Sequence, residues 1–103
     1  MNMSTGKTGY LLSEEQLERV ALRFRLLGEP MRLRILQAVC HKPRTVNEVV
    51  KAVGATQANV SKHLALLAGA AILARRKEGQ SVYYGMKDQL AMKLCALVHK
   101  HLE

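Results

Sequence analysis

The chain is predicted to fold as a winged helix-turn-helix, mainly α with one small β-hairpin, in the order α-α-α-α-β-β-α. Three observations predict it. The stretch "TQANVSKHLALL", Thr56 to Leu67, repeats Val60, Leu64 and Leu67 at helical spacing while its other side stays polar or small. A short helical stretch, "TVNEVVKAVGA", precedes it, separated only by the tight connection around "GAT". Two short runs flanking "KEGQ" follow as a basic hairpin, the wing.

With 103 residues the chain is long enough for one core and one domain. Residues 1–12 read as a loose arm, because Ser, Thr, Gly and Lys dominate there without periodicity. Residues 13–103 read as the folded domain. Ser13 is expected to N-cap the first helix, with Glu14 and Glu15 at the positive end of its dipole. Leu17, Val20, Ala21, Phe24 and Leu27 form its apolar stripe, expected to be buried, and Gly28 stops it. Pro30 opens the second helix, where its missing N–H costs nothing. Leu33, Leu36 and Cys40 share one seam there, flanked by Ile35 and Val39, and Pro43 ends it. Arg32 and Arg34 are expected to include one structural ion pair.

Thr45 and Glu48 are spaced as a capping box for the third helix, and Gly54 closes it. Thr56 caps the fourth. In the hairpin, Gly79 can supply the positive φ of a tight turn, and Val82, Tyr83 and Tyr84 have strand propensity. The last helix carries two adjacent apolar seams, Leu90–Leu94–Leu97 and Ala91–Cys95–Val98–Leu102. One seam suffices to pack a terminal helix on its own domain; the second implies another surface, most simply a second copy of the chain.

Charge narrows the function. Sixteen Lys and Arg against eight Asp and Glu leave +8, which points to a polyanionic partner. Between Lys42 and Lys87 lie eight of those cations and only two acids, Glu48 and Glu78. The smooth outer face of Thr56 to Leu67 is therefore expected to lie in a DNA major groove. No apolar run approaches the roughly 20 residues of a membrane span. The N-terminus lacks the apolar region of a secretion signal, so a cytoplasmic location is expected. No Gly-rich phosphate loop, paired carboxylates or Ser–His–Asp arrangement appears, and no enzymatic activity is expected.

"LGEPMRLRIL", "TQANVSKHLALL" and "RRKEGQSVYY", in this order and spacing, make the chain resemble the ArsR/SmtB family of small dimeric winged-helix repressors, from about Glu15 to Leu102. The resemblance implies a homodimer on a pseudo-palindromic operator, often released by an inducer. It implies groove-facing positions at Gln57, Ala58, Asn59, Ser61, Lys62 and His63, with Thr56 opening that surface. The wing would contribute Arg75, Arg76, Lys77 and Gln80. His63 is read as either DNA-facing or a packing residue. Joining through the first and last helices would put Leu17, Phe24, Leu94, Cys95, Leu97 and Val98 at the interface. Where the family usually has Ala-Gly after the recognition helix, this chain has Ala70-Ala71. Gly69 could end the helix instead, and a left-handed Ala71 would cost roughly 1 kcal/mol.

No cofactor and no metal site is expected. The family's thiolate site needs a Cys-x-Cys pair on the third helix, which reads "TVNEVVKAV" here. Of the last-helix ligand set only Asp88 and His101 match, too few for zinc. His99 cannot easily substitute, since residues i and i+2 point about 200° apart on a helix. Cys40 and Cys95 form no CxxC pair, and each falls on an apolar seam, so packing explains them. Two alternatives to a DNA-binding repressor remain at this point: a winged-helix protein-interaction module without DNA binding, and a thiol-based redox-sensing repressor using Cys40 and Cys95.

Overall fold

The structure, a computed structural model, describes residues 11–103. Of the expected arm, residues 1–12, all but Leu11 and Leu12 lie outside the described residues. Five helices and a three-stranded antiparallel sheet follow: α1 (Glu14–Leu27), α2 (Pro30–Val39), β1 (Arg44–Thr45), α3 (Val46–Val53), α4 (Gln57–Gly69), β2 (Leu73–Glu78), β3 (Ser81–Met86) and α5 (Leu90–Leu102). The sheet order is β1-β3-β2. The two-residue strand β1, pairing Arg44 with Tyr84 and Thr45 with Tyr83, adds to the expected element order.

The helix boundaries are written in side-chain chemistry. Ser13 Oγ accepts the Gln16 N–H at 3.1 Å and Gln16 Oε1 accepts the Ser13 N–H at 2.9 Å, a reciprocal box at the start of α1. Thr45 and Glu48 form the same box for α3. That helix ends on Gly54 at φ 71°, a conformation glycine adopts without strain, so the chain turns directly into α4. The hairpin turn holds Gly79 at φ 60°.

The core fills the angle between α2, α3, α4 and the sheet. Ile35, Leu36 and Val39 of α2 meet Val49 of α3, Val60, Leu64 and Leu67 of α4, and Ile72, Leu73 and Tyr84 around the sheet. From α1 only Leu27 joins this core, and from α5 only Ala91. The expected buried stripe of α1 is corrected here: Leu17, Val20, Ala21 and Phe24 are exposed, since nothing among the described residues covers them. Phe24 is 58% exposed, and Val98 and Leu102 on α5 are 56% and 77% exposed. The radius of gyration is 16.1 Å, against about 13 Å for a compact chain of about 100 residues. Among the described residues, no helix is long and apolar enough to cross a membrane.

Arginines stitch the pieces together. Arg23 of α1 donates to Asp88 Oδ2 at 2.7 Å and to the Ala70 carbonyl at 3.2 Å, tying α1 to both ends of the wing. Arg44 Nε donates to the Ala38 carbonyl at 2.7 Å, at the end of α2. Arg32 Nε and Nη2 donate to the Leu26 and Arg25 carbonyls at 2.7 and 3.2 Å, at the end of α1. The expected ion pair at Arg32 or Arg34 is thereby corrected. Arg32 holds helix carbonyls, and neither residue pairs with a carboxylate among the described residues.

Candidate nucleic-acid interface

Thr56 starts the recognition helix: its Oγ1 accepts the Asn59 N–H at 3.1 Å, which leaves Gln57, Ala58 and Asn59 on the exposed first turn. Gln57, Ala58, Asn59, Ser61 and Lys62 are all exposed, while Val60, Leu64 and Leu67 are wholly buried on the opposite side. Of the exposed residues, only Lys62 is charged, so the face carries side-chain amides and a hydroxyl able to meet base edges.

His63 departs from the expected groove-facing set. It is 6% exposed, the one buried polar residue among those described. Its Nδ1 lies 3.4 Å from Arg32 Nη1 and its Nε2 lies 3.4 Å from Glu29 Oε2. The reason is positional. Val60, His63, Leu64 and Leu67 follow the i, i+3, i+4, i+7 rule of one helix face, so the ring rides the apolar seam.

At its far end α4 closes with a Schellman arrangement. The Ala71 N–H donates to the Ala68 carbonyl and the Ile72 N–H to the Leu67 carbonyl, both at 3.0 Å. Gly69 is the last helical residue, yet the left-handed position falls on Ala71, at φ 62°. The buried pair Leu67 and Ile72 provides the apolar contact that usually accompanies this motif.

The wing carries the cations. Register pairs Arg75 with Tyr84 and Lys77 with Val82, which puts these two cations on the sheet face shared with the helices. Arg76, opposite Tyr83, is on the other face. Its Nε lies 3.1 Å from Glu78 Oε2 and its guanidinium sits over the Tyr83 ring at 5.9 Å. Gln80 is exposed at the turn. Between wing and helices opens a polar cleft lined by Thr45, Val46, Asn47, Gln57, Gln80, Ser81 and Val82. Asn47 and Ser81 were not singled out from the sequence; the signal was present, since Asn47 follows the Thr45 cap and Ser81 follows the turn.

The remaining candidates are dispersed. Asp88 has both carboxylate oxygens engaged, Oδ2 by Arg23 and Oδ1 by the Leu90 N–H at 2.9 Å, while His101 is exposed near the end of α5. Cys40 and Cys95 are free thiols, each half-buried. Cys40 Sγ donates to the Gln37 carbonyl at 3.2 Å and lines a concavity with His41, Gln89 and Met92. Cys95 instead lines an apolar groove of about 280 Å³ between α1, α2 and α5, with Phe24, Leu33, Leu94 and Val98.

Comparison with known proteins agrees with this geometry. The sequence profile described as "Bacterial regulatory protein, arsR family" matches residues 29–73. The chain is 34% identical to the HTH-type transcriptional regulator CmtR of Mycobacterium bovis, over 85% of this chain and 76% of that one. The crystal structure of Mycobacterium tuberculosis Rv0081 superposes with a TM-score of 0.78 at 31% identity, covering 87% of this chain and 91% of that one. The solution structure of Mb0332 from Mycobacterium bovis, described as a homodimeric winged helix-turn-helix DNA-binding domain, matches with a TM-score of 0.75. Its identity is 26%, over 88% of this chain and 87% of that one. The chain spans about two thirds of the length of several curated relatives, from 59% to 70%.

Proposed function

We propose, from the chain's membership of the arsR family of bacterial regulatory proteins, that it is a DNA-binding transcriptional repressor whose surfaces divide the work. Two copies join through the apolar faces of α1 and α5, with Leu17, Phe24, Leu94, Cys95, Leu97 and Val98 in the seam. Each copy presents α4 to the major groove of one half of a pseudo-palindromic operator. Gln57, Ser61 and Asn59 read base edges, while Lys62 and the wing cations set register and affinity through phosphates. Thr45, Asn47, Gln80 and Ser81 line the shoulder between helix and wing and add uncharged hydrogen bonds to the backbone. Cys40 and Cys95 serve as packing residues in separate concavities.

The observation that carries this reading is the split surface of α4. One side is locked into the core, and the other exposes amides and a hydroxyl without a single acid, beside a cationic wing. The exposed apolar residues of α1 and α5, together with a related domain described as homodimeric, support the pairing of copies. Fluorescence anisotropy against duplexes from upstream of its own gene and against random duplex tests it. Operator binding should be tighter by about 10³-fold or more, with two chains per duplex in sedimentation. Equal, weak binding to both would overturn it and favour a protein-interaction module.

A further inference from the structure

We propose that His63 is a positioning residue for operator reading, its ring carrying the N–H at Nε2 and a lone pair at Nδ1 and setting the rotation of α4 against the α1–α2 corner. The proposal rests on the recognition role given to α4 above.

The ring is held between two groups that are themselves anchored. Glu29 Oε1 accepts the Met31 N–H at 2.6 Å in the first turn of α2, leaving Oε2 to face His63 Nε2. Arg32 uses Nε and Nη2 on the last carbonyls of α1, leaving Nη1 to face His63 Nδ1. A carboxylate can only accept and a guanidinium can only donate. One neutral tautomer satisfies both neighbours: Nε2–H toward Glu29, and the Nδ1 lone pair toward Arg32. The other tautomer aims an N–H at the guanidinium and a lone pair at the carboxylate, wrong on both sides.

Both contacts, at 3.4 Å, are long for hydrogen bonds, so their effect is orientation rather than adhesion. Orientation is what base reading needs. Side-chain tips on a helix lie roughly 5–6 Å from its axis, so a turn of about 10° moves them by about 1 Å. That is enough to break a hydrogen bond to a base edge. The arrangement also links α1, whose outer face is apolar, to α4 through Arg32 and His63, so a shift at the end of α1 reaches the reading surface.

Long-range ¹H–¹⁵N spectra of the histidine-labelled wild-type protein at neutral pH should show Nε2 protonated and Nδ1 bare at His63. The opposite tautomer overturns the proposal, whatever the DNA data say. Anisotropy with operator and random duplex supplies the functional arm. His63→Leu should lose about tenfold in operator-over-random preference, the loss of about one base contact, with random-DNA affinity and salt slope unchanged. His63→Gln, whose amide nitrogen falls near the Nε2 position, should recover part of it. Unchanged preference in a folded His63→Leu overturns the proposal; if that variant does not fold, unchanged preference in Arg32→Lys, which keeps the charge and loses the fork, does the same. A wild-type protein that fails to prefer the operator instead refutes the role of α4, a distinguishable result.

Discussion

Arg75 and Arg76 are neighbours in sequence but not in employment, because strand alternation sends Arg75 to the face shared with Tyr84 and Arg76 to the face holding Tyr83 and Glu78. A cation already beside a carboxylate releases less counterion when it meets a phosphate. Arg75→Ala should therefore shallow the slope of log K against log salt by about 0.9 per contact and twice that in a dimer, and Arg76→Ala by less. Both should weaken operator and random DNA alike. Gln57→Ala should cost about 1–3 kcal/mol per half-site on the operator and leave the salt slope untouched. Equal effects of all three variants on every duplex would refute this division. At Ala71 the strain of a left-handed alanine, about 1 kcal/mol, is offset in part by the greater freedom glycine gives the unfolded chain. Ala71→Gly should raise stability by up to about 1 kcal/mol in urea denaturation, and Ala71→Val, β-branched at positive φ, should lower it.

The elements were legible wherever a boundary depends on a local residue: Ser13, Thr45 and Thr56 as caps, Pro30 at a first turn, Gly54 and Gly79 at positive φ. Strand β1 was not, because two residues have no periodicity and their partners, Tyr83 and Tyr84, lie far along the chain. Of the two readings open for His63, groove-facing or packing, the buried one holds, as its spacing from Val60 and Leu67 marks. The apolar stripe of α1 was visible, but a stripe says only that something covers it, not what. At the Thr45–Glu48 box, the Thr45 N–H bonded to the Glu48 carboxylate holds that group's pKa below its usual 4.5. A carboxylate favoured in the folded state stabilises above its unfolded pKa and loses that contribution as pH falls through the lowered value. Glu48→Gln retains an acceptor without the charge. The stability advantage of wild type over Glu48→Gln should thus be full at neutral pH and disappear as the pH drops below 4.5; a pH-independent difference in denaturation midpoints would contradict it.

At the scale of the whole molecule, the radius of gyration and the exposed apolar faces of α1 and α5 are what the proposed pairing of two copies would account for. Leu97→Glu or Val98→Glu would leave an unpaired charge in the proposed seam, so each variant should sediment as a monomer or unfold; a stable, operator-binding dimer would count against the seam. The 280 Å³ groove behind Phe24 and Val98 has a further consequence. If a second copy closes it, as proposed for the α1 and α5 faces, abundance becomes a folding variable: by mass action the melting temperature should climb with protein concentration. In a cell such pairing would make the supply of competent regulator steeper than the supply of its message. Halving expression would then cost more than half of the finished molecules, and a promoter controlled by this protein would be freed more sharply than gene dosage alone dictates.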